Sequence, residues 1–238
     1  MKTFLILLLT AFSCSTFAQD NIINDANVEV RTVGSFSGIK VSGGIDVYLS
    51  QSAEYALAVS AVETKYRDNI RTEIKNGILT IWYDSDKAGW TRGDKRLRAY
   101  ISFKSIESLQ ASGACDFKIN GTIEVNTLSL RLSGASDING GVKLNNMTMD
   151  LSGASTVKLN GTVQNLKLDA SGASDVKNYD LVAENCIAVI SGASDIKITV
   201  SNSISASASG ASSLHYKGNP EKKDVATSGA SSISQRNN

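Results

Sequence analysis

The 238 residues carry 24 Lys and Arg against 23 Asp and Glu, with one histidine and a formal net charge of +1. So even a balance exerts no long-range pull on nucleic acid or anionic lipid. Three cysteines are too few and too widely spaced for a disulfide scaffold, and a single proline suits strands that need every backbone donor.

The chain opens with Lys2, an apolar run from Phe4 to Phe12, and small residues, with Thr16 and Ala18 three and one before Gln19. That is the pattern of a secretory signal peptide over residues 1–18. The apolar run falls well short of the ~20 residues of a membrane span. Cleavage removes Lys2 and leaves basic and acidic residues equal in number. A second reading takes Ala11-Phe12-Ser13-Cys14 as a lipoprotein box with a lipidated Cys14; the bulky Phe12 and the short leader speak against it. No second apolar run has membrane length, so no transmembrane segment is expected. The product is expected to be exported, to the periplasm, the outer-membrane surface or the extracellular medium.

Residues 19–35 form an N-terminal segment, and residues 36–105 an irregular β region. Strand patterns run from Phe36 to Val41, Ile45 to Leu49, Tyr55 to Val59 and Ile70 to Tyr83. The last is broken by Lys75-Asn76-Gly77, and Asn-Gly between apolar runs signals a hairpin. Val62 to Asp68 suits a short helix, and the polar stretch Asp84 to Arg98 a loop. Ser42-Gly43-Gly44-Ile45-Asp46-Val47 echoes the repeat that follows, so this region reads as wider, degenerate coils.

From residue 106 to 238 a repeat takes over. Ser-Gly-Ala recurs with its glycine at Gly113, Gly134, Gly153, Gly172, Gly192, Gly210 and Gly229, in steps of 21, 19, 19, 20, 18 and 19. Four residues after each glycine stand Phe117, Ile138, Val157, Val176, Ile196, Leu214 and Ile233, all apolar. The approach alternates, as in Leu128-Ser129-Leu130-Arg131-Leu132, so these are strands with one buried face. A period of ~19 residues is too short for a βαβ unit, which needs ~30. One coil per repeat, stacked in parallel ~4.8 Å from the next, solves the pattern. The expected fold is all-β, a right-handed parallel β-helix with ~19-residue coils, continuous over 36–238. Each glycine marks a corner, where small Ala and Ser let one turn nest on another. Lys217 to Asp224, around Pro220, is expected to replace part of the last coil with a loop.

Phe36 to Ser50 (FSGIKVSGGIDVYLS), then Asn76-Gly77-Ile78-Leu79-Thr80-Ile81, then serial SGAS units resemble the bacterial family named putative auto-transporter adhesin, head GIN domain, common in Bacteroidetes. The resemblance covers the chain from about Phe36 onward. It implies an exported β-helical protein of unknown biochemical role that carries an adhesin label. Auto-transporters add a membrane barrel of eight or more strands. No such segment is read here, so surface delivery is expected to need another route.

Candidate chemistry is sparse. Asp116 and Asp137 fall on adjacent coils, as do Asp175 and Asp195, and stacked carboxylates repel unless neutralised. Calcium between coils is one solution. Lys118, Lys177 and Lys197, two residues on, offer a plainer one, so no metal is expected. His215 stands where other coils carry lysine and reads as a solvated outer residue. Cys115 and Cys186 read as small buried residues. Trp82, Tyr83, Trp90 and Arg92 cluster in the irregular region as a candidate ligand patch, against the plainer reading that Trp82 packs within its strand. No catalytic residue and no cofactor are assigned. The expected function is a non-enzymatic, adhesin-like binding module for a surface glycan or protein. The alternatives are a carbohydrate-active enzyme on the same scaffold or a purely structural envelope component.

Overall fold

The computed structural model describes residues 27–85 and 94–237; the leader, Cys14, Trp90 and Arg92 lie outside them. Strands β1 (Glu29–Arg31), β2 (Gly38–Ser42), β3 (Asp46–Gln51) and β4 (Ala56–Ser60) precede a one-turn helix α1 (Thr64–Arg67). β5 (Ile70–Lys75), β6 (Ile78–Tyr83), β7 (Arg98–Phe103) and β8 (Ser108–Ser112) follow. Five long strands come next: β9 (Asp116–Leu132), β10 (Asp137–Leu151), β11 (Thr156–Ala170), β12 (Asp175–Ile190) and β13 (Asp195–Ala208). β14 (Ser213–Lys217), β15 (Lys222–Thr227) and β16 (Ser232–Gln235) complete the described chain. All join one sheet that winds into a β-solenoid.

From β9 to β13 each long strand is most of one coil, paired in parallel with the coils on either side. Ile138 lies opposite Phe117 on one side and Val157 on the other. The column continues through Val176, Ile196 and Leu214 to Ile233, and it is buried from Phe117 to Leu214. A second column runs from Leu109 through Leu130, Met149 and Leu168 to Ala188. Each buried aliphatic contributes ~1.5–3 kcal/mol relative to exposure. One coil has no inner partner for its apolar side chains, so that gain exists only in the stack.

Alternation breaks three times per coil, giving it three sides. In β10 the breaks fall at Gly140 to Val142, at the consecutive exposed Asn145 and Asn146, and at the Ser152–Ser155 corner. At that corner backbone lies on backbone: the Ala154 N–H donates to Gly134 O at 2.7 Å, and the Ala173 N–H to Gly153 O at 2.7 Å. The fourth residue turns inward. Ser155 is fully buried, and its hydroxyl donates to Ser152 O at 2.9 Å. The bond recurs at Ser136, Ser174, Ser194 and Ser212, so each buried hydroxyl of the serine column is satisfied by a corner carbonyl. The exposed corner holds an asparagine ladder, in which Asn165 donates to Asn146 and Asn185 to Asn165, each at 3.1 Å.

The N-terminal region departs from a simple run of coils. Asn76 and Gly77 make the expected two-residue hairpin turn, both at positive φ, between β5 and β6. The short helix forms at Thr64–Arg67. Fourteen residues of chain separate β6 from β7, against four between successive long strands from β9 to β13. Stacking order differs from chain order, which the repeat pattern does not foretell. β2 pairs with β6 on one side and β8 on the other, and β3 with β7 and β9, all in parallel. The first coil of the chain is thus the second in the stack, held between coils made later. β4 and β5 then run antiparallel along β7 and β6 and cover that end.

Candidate functional site

The acidic column is real. Asp46, Asp116 and Asp137 occupy successive coils in register, as do Asp175 and Asp195. Its neighbours neutralise it in part. Lys118 reaches Asp46 at 3.4 Å, and Lys177 reaches Asp175 at 2.6 Å. Burial, then the charges of Asp46 and Asp137, push the Asp116 carboxyl above its ordinary range. Burial also lifts Asp195, but Lys197 and the Ser213 hydroxyl outweigh it and hold that carboxyl low. Asp137 caps backbone, accepting the Thr156 N–H at 3.1 Å. Among the described residues no three His, Cys, Asp or Glu side chains gather in a geometry that could hold a metal ion.

His215 lies 2.8 Å, through Nδ1, from the Ser234 hydroxyl on the next coil. A serine activated by histidine needs a carboxylate to orient the imidazole. Here the other ring nitrogen meets Arg236 at 3.4 Å. Burial and that guanidinium both depress the His215 pKa. Cys115 and Cys186 are buried. Burial raises both thiols, Cys186 to about 12, so neither is a ready nucleophile. Asn178 is a buried polar residue that sequence reasoning passed over. Its Oδ1 accepts the Leu159 N–H at 2.8 Å, where the register between β11 and β12 shifts and the backbone ladder is interrupted.

The aromatic candidates separate. Trp82 and Tyr83 are consecutive in β6 and point to opposite faces. Trp82 lies across from Arg71 and beside Ser42. Tyr83 packs against the core, with Lys95 Nζ 4.5 Å from its ring centroid. Trp90 and Arg92 lie outside the described residues. A different aromatic pair does stand on the outer face: Tyr48 and Tyr100 stack with centroids 5.0 Å apart, and Lys118 sits 5.1 Å from the Tyr48 ring. Tyr48 shares the register of Lys118, so aligning the Ser42-Gly43-Gly44 echo on the repeat could have found it.

A trough of about 690 Å³ runs across four coils, from β9 to β12, with Ser201 of β13 at its far end. One wall is the register-matched set Glu124, Lys143, Thr162 and Val182. The other is Asn126, Asn145, Gln164 and Glu184. Leu144 and Val163 lie buried between the walls. Lys143 pairs with Glu124 at 3.2 Å, and Asn145 donates to Asn126 at 2.6 Å. Gln51, at the end of β3, bonds the backbone of Glu124. Its side chain accepts the Glu124 N–H at 2.7 Å and donates to Glu124 O at 3.0 Å, as a neighbouring strand would.

A family profile described as "putative auto-transporter adhesin, head GIN domain" matches residues 35–220. No curated protein is detectably similar. Among solved structures, a protein described as a "putative adhesin" from Bacteroides fragilis has a TM-score of 0.79 at 23% identity, over 88% of this chain and 96% of that one. A "putative lipid binding protein" from Parabacteroides distasonis has a TM-score of 0.68 at 21% identity, over 89% and 97%. A "putative adhesin" from Parabacteroides merdae has a TM-score of 0.62 at 17% identity, over 90% and 97%. At these identities the likeness establishes a common fold. With a profile match spanning most of its length and the solenoid to go with it, the chain belongs to the head GIN domain family of auto-transporter adhesin-like proteins.

Proposed function

We propose that this protein is an exported, non-enzymatic binding module of the cell envelope, whose rigid outer faces engage a surface glycan or protein. One observation carries the reading: columns of buried side chains fill the interior coil after coil, which leaves recognition to the outside. The outer carboxylates belong to serial columns shared with lysines, and the Ser234–His215 pair has an arginine behind it. Catalysis needs groups held apart in charge state around one reacting atom, and these columns spread theirs along the axis. The adhesin descriptions of the family and of two structural relatives point the same way. The lipid-binding description of the third would have to be met on the outer surface as well. Among the described residues no helix is long and apolar enough to cross a membrane.

The test is adhesion under flow. Beads carrying the folded protein are passed over immobilised polysaccharides, mucin, collagen and fibronectin. Retention on at least one surface, above that of albumin-coated beads, is expected. Equal retention of the two bead types on every surface would remove the binding reading.

A further inference from the structure

We infer that the four-coil trough is a binding site for an extended, uncharged glycan chain lying along the solenoid axis. This deepens the proposed function and rests on it.

The register sets the spacing. Asn145 and Gln164 belong to successive coils and stand on one wall, and the coils repeat at ~4.8 Å. An extended sugar polymer advances by a comparable length per ring. The trough crosses three such steps, so about three rings would each meet one of the amides Asn126, Asn145 and Gln164 on that wall. Side-chain amides both donate and accept, as sugar hydroxyls do. Asn126, Asn145 and Gln164 are exposed, so no buried polar group must be uncovered for binding. On the opposite wall the Thr162 methyl and Val182, 38% exposed, offer apolar contact for the C–H face of a ring.

Other polymers fit less well. A peptide that binds by strand addition needs unpaired backbone groups, but here the strands lining the trough are paired in parallel with their neighbours. Polyanions meet the wrong charge. Lys143 is engaged by Glu124, and Glu184 adds a negative charge to the wall. The absence of an aromatic ring from the trough lining predicts weak single-chain affinity, on the order of millimolar, which many copies on one surface would raise by avidity.

The experiment follows side-chain amide resonances by NMR in the isotope-labelled protein during titration with cellohexaose, chitohexaose, maltohexaose and a heparin hexasaccharide. Shifts of the Asn126, Asn145 and Gln164 amides are expected with the straight β-linked cellohexaose or chitohexaose. Weaker shifts are expected with the curved maltohexaose and none with heparin. Gln164→Ala, at an exposed position, is expected to keep the parent circular dichroism and weaken binding about three- to tenfold, the loss of one hydrogen bond. Static trough amides with all four probes, or a preference for heparin, would overturn the assignment. The adhesion assay separates the two readings. Beads carrying folded Gln164→Ala that adhere as well as the parent would dismiss the trough and leave the binding module standing, whereas failure of the parent beads on every surface dismisses the module itself.

Discussion

Gly153→Ala probes the corner stack directly. Gly153 sits at φ +74°, and a Cβ there would lie 2.5 Å from Gly134 O and 2.9 Å from Gly134 N. Left-handed backbone costs a residue with a Cβ ~1–2 kcal/mol. The collision is the larger effect, because the Ala154 N–H bond to Gly134 O fixes the two corners at contact. Making room means parting the coils and losing corner hydrogen bonds at ~1 kcal/mol each, with further loss of packing beneath them. A destabilisation of ~3–5 kcal/mol is expected. Gly121→Ala is the internal control. Gly121 has φ +81°, and among the described residues nothing lies within 4 Å of the added carbon. It should lose the backbone strain alone, ~1–2 kcal/mol. Urea unfolding followed by far-ultraviolet circular dichroism, with midpoint and slope both fitted, reads the difference. Equal losses in the two variants would mean that the corners are not in contact, and the reasoning would fail.

Two further outcomes follow from burial and charge. The Asp116 carboxyl is raised, so the folded state holds its proton more tightly than the unfolded chain, and ionisation costs stability as pH rises from about 3.8 through the folded value. Asp116→Asn should therefore stabilise at pH 7, by ~0.5 kcal/mol or less given solvent screening, and the gain should vanish below about pH 3.8; an unchanged or lowered melting temperature at pH 7 contradicts this. Cys115 and Cys186 should resist Ellman's reagent in the folded protein and react fully in urea, and labelling of the native protein within minutes would contradict their burial.

The seven glycines made the solenoid legible, because one residue type at a fixed step marks a corner that only close backbone approach explains. Val157 and its column mates were legible for the same reason, since position relative to the glycine decides which side chains face inward. The asparagine ladder was equally available: Asn146, Asn165 and Asn185 step by 19 and 20 residues, but alignment on glycine alone draws the eye past them. Trp82 and Tyr83 looked like a pair because they are neighbours in sequence, although in a strand that adjacency sends them to opposite faces. The trough was not legible. Its residues are ordinary polar types, and its walls are rows of side chains contributed one coil at a time, which no single repeat announces. The position of the first coil was hidden too, because Ser42-Gly43-Gly44 announces a corner without naming the strands that will lie above and below it.

That last feature bears on how the molecule assembles and comes apart. A stacked array normally sheds its terminal unit first, since that unit has one neighbour. Residues 38–51 have two, and both are supplied by chain that leaves the ribosome later. β2 and β3 have none of these partners until residue 78 is present and lack some of them until residue 120, so their docking is postponed by the high sequence separation of these contacts. Once locked, the same arrangement resists unravelling from its N-terminal side. A pull on residue 38 must shear two parallel interfaces together, where an ordinary end coil would peel from one.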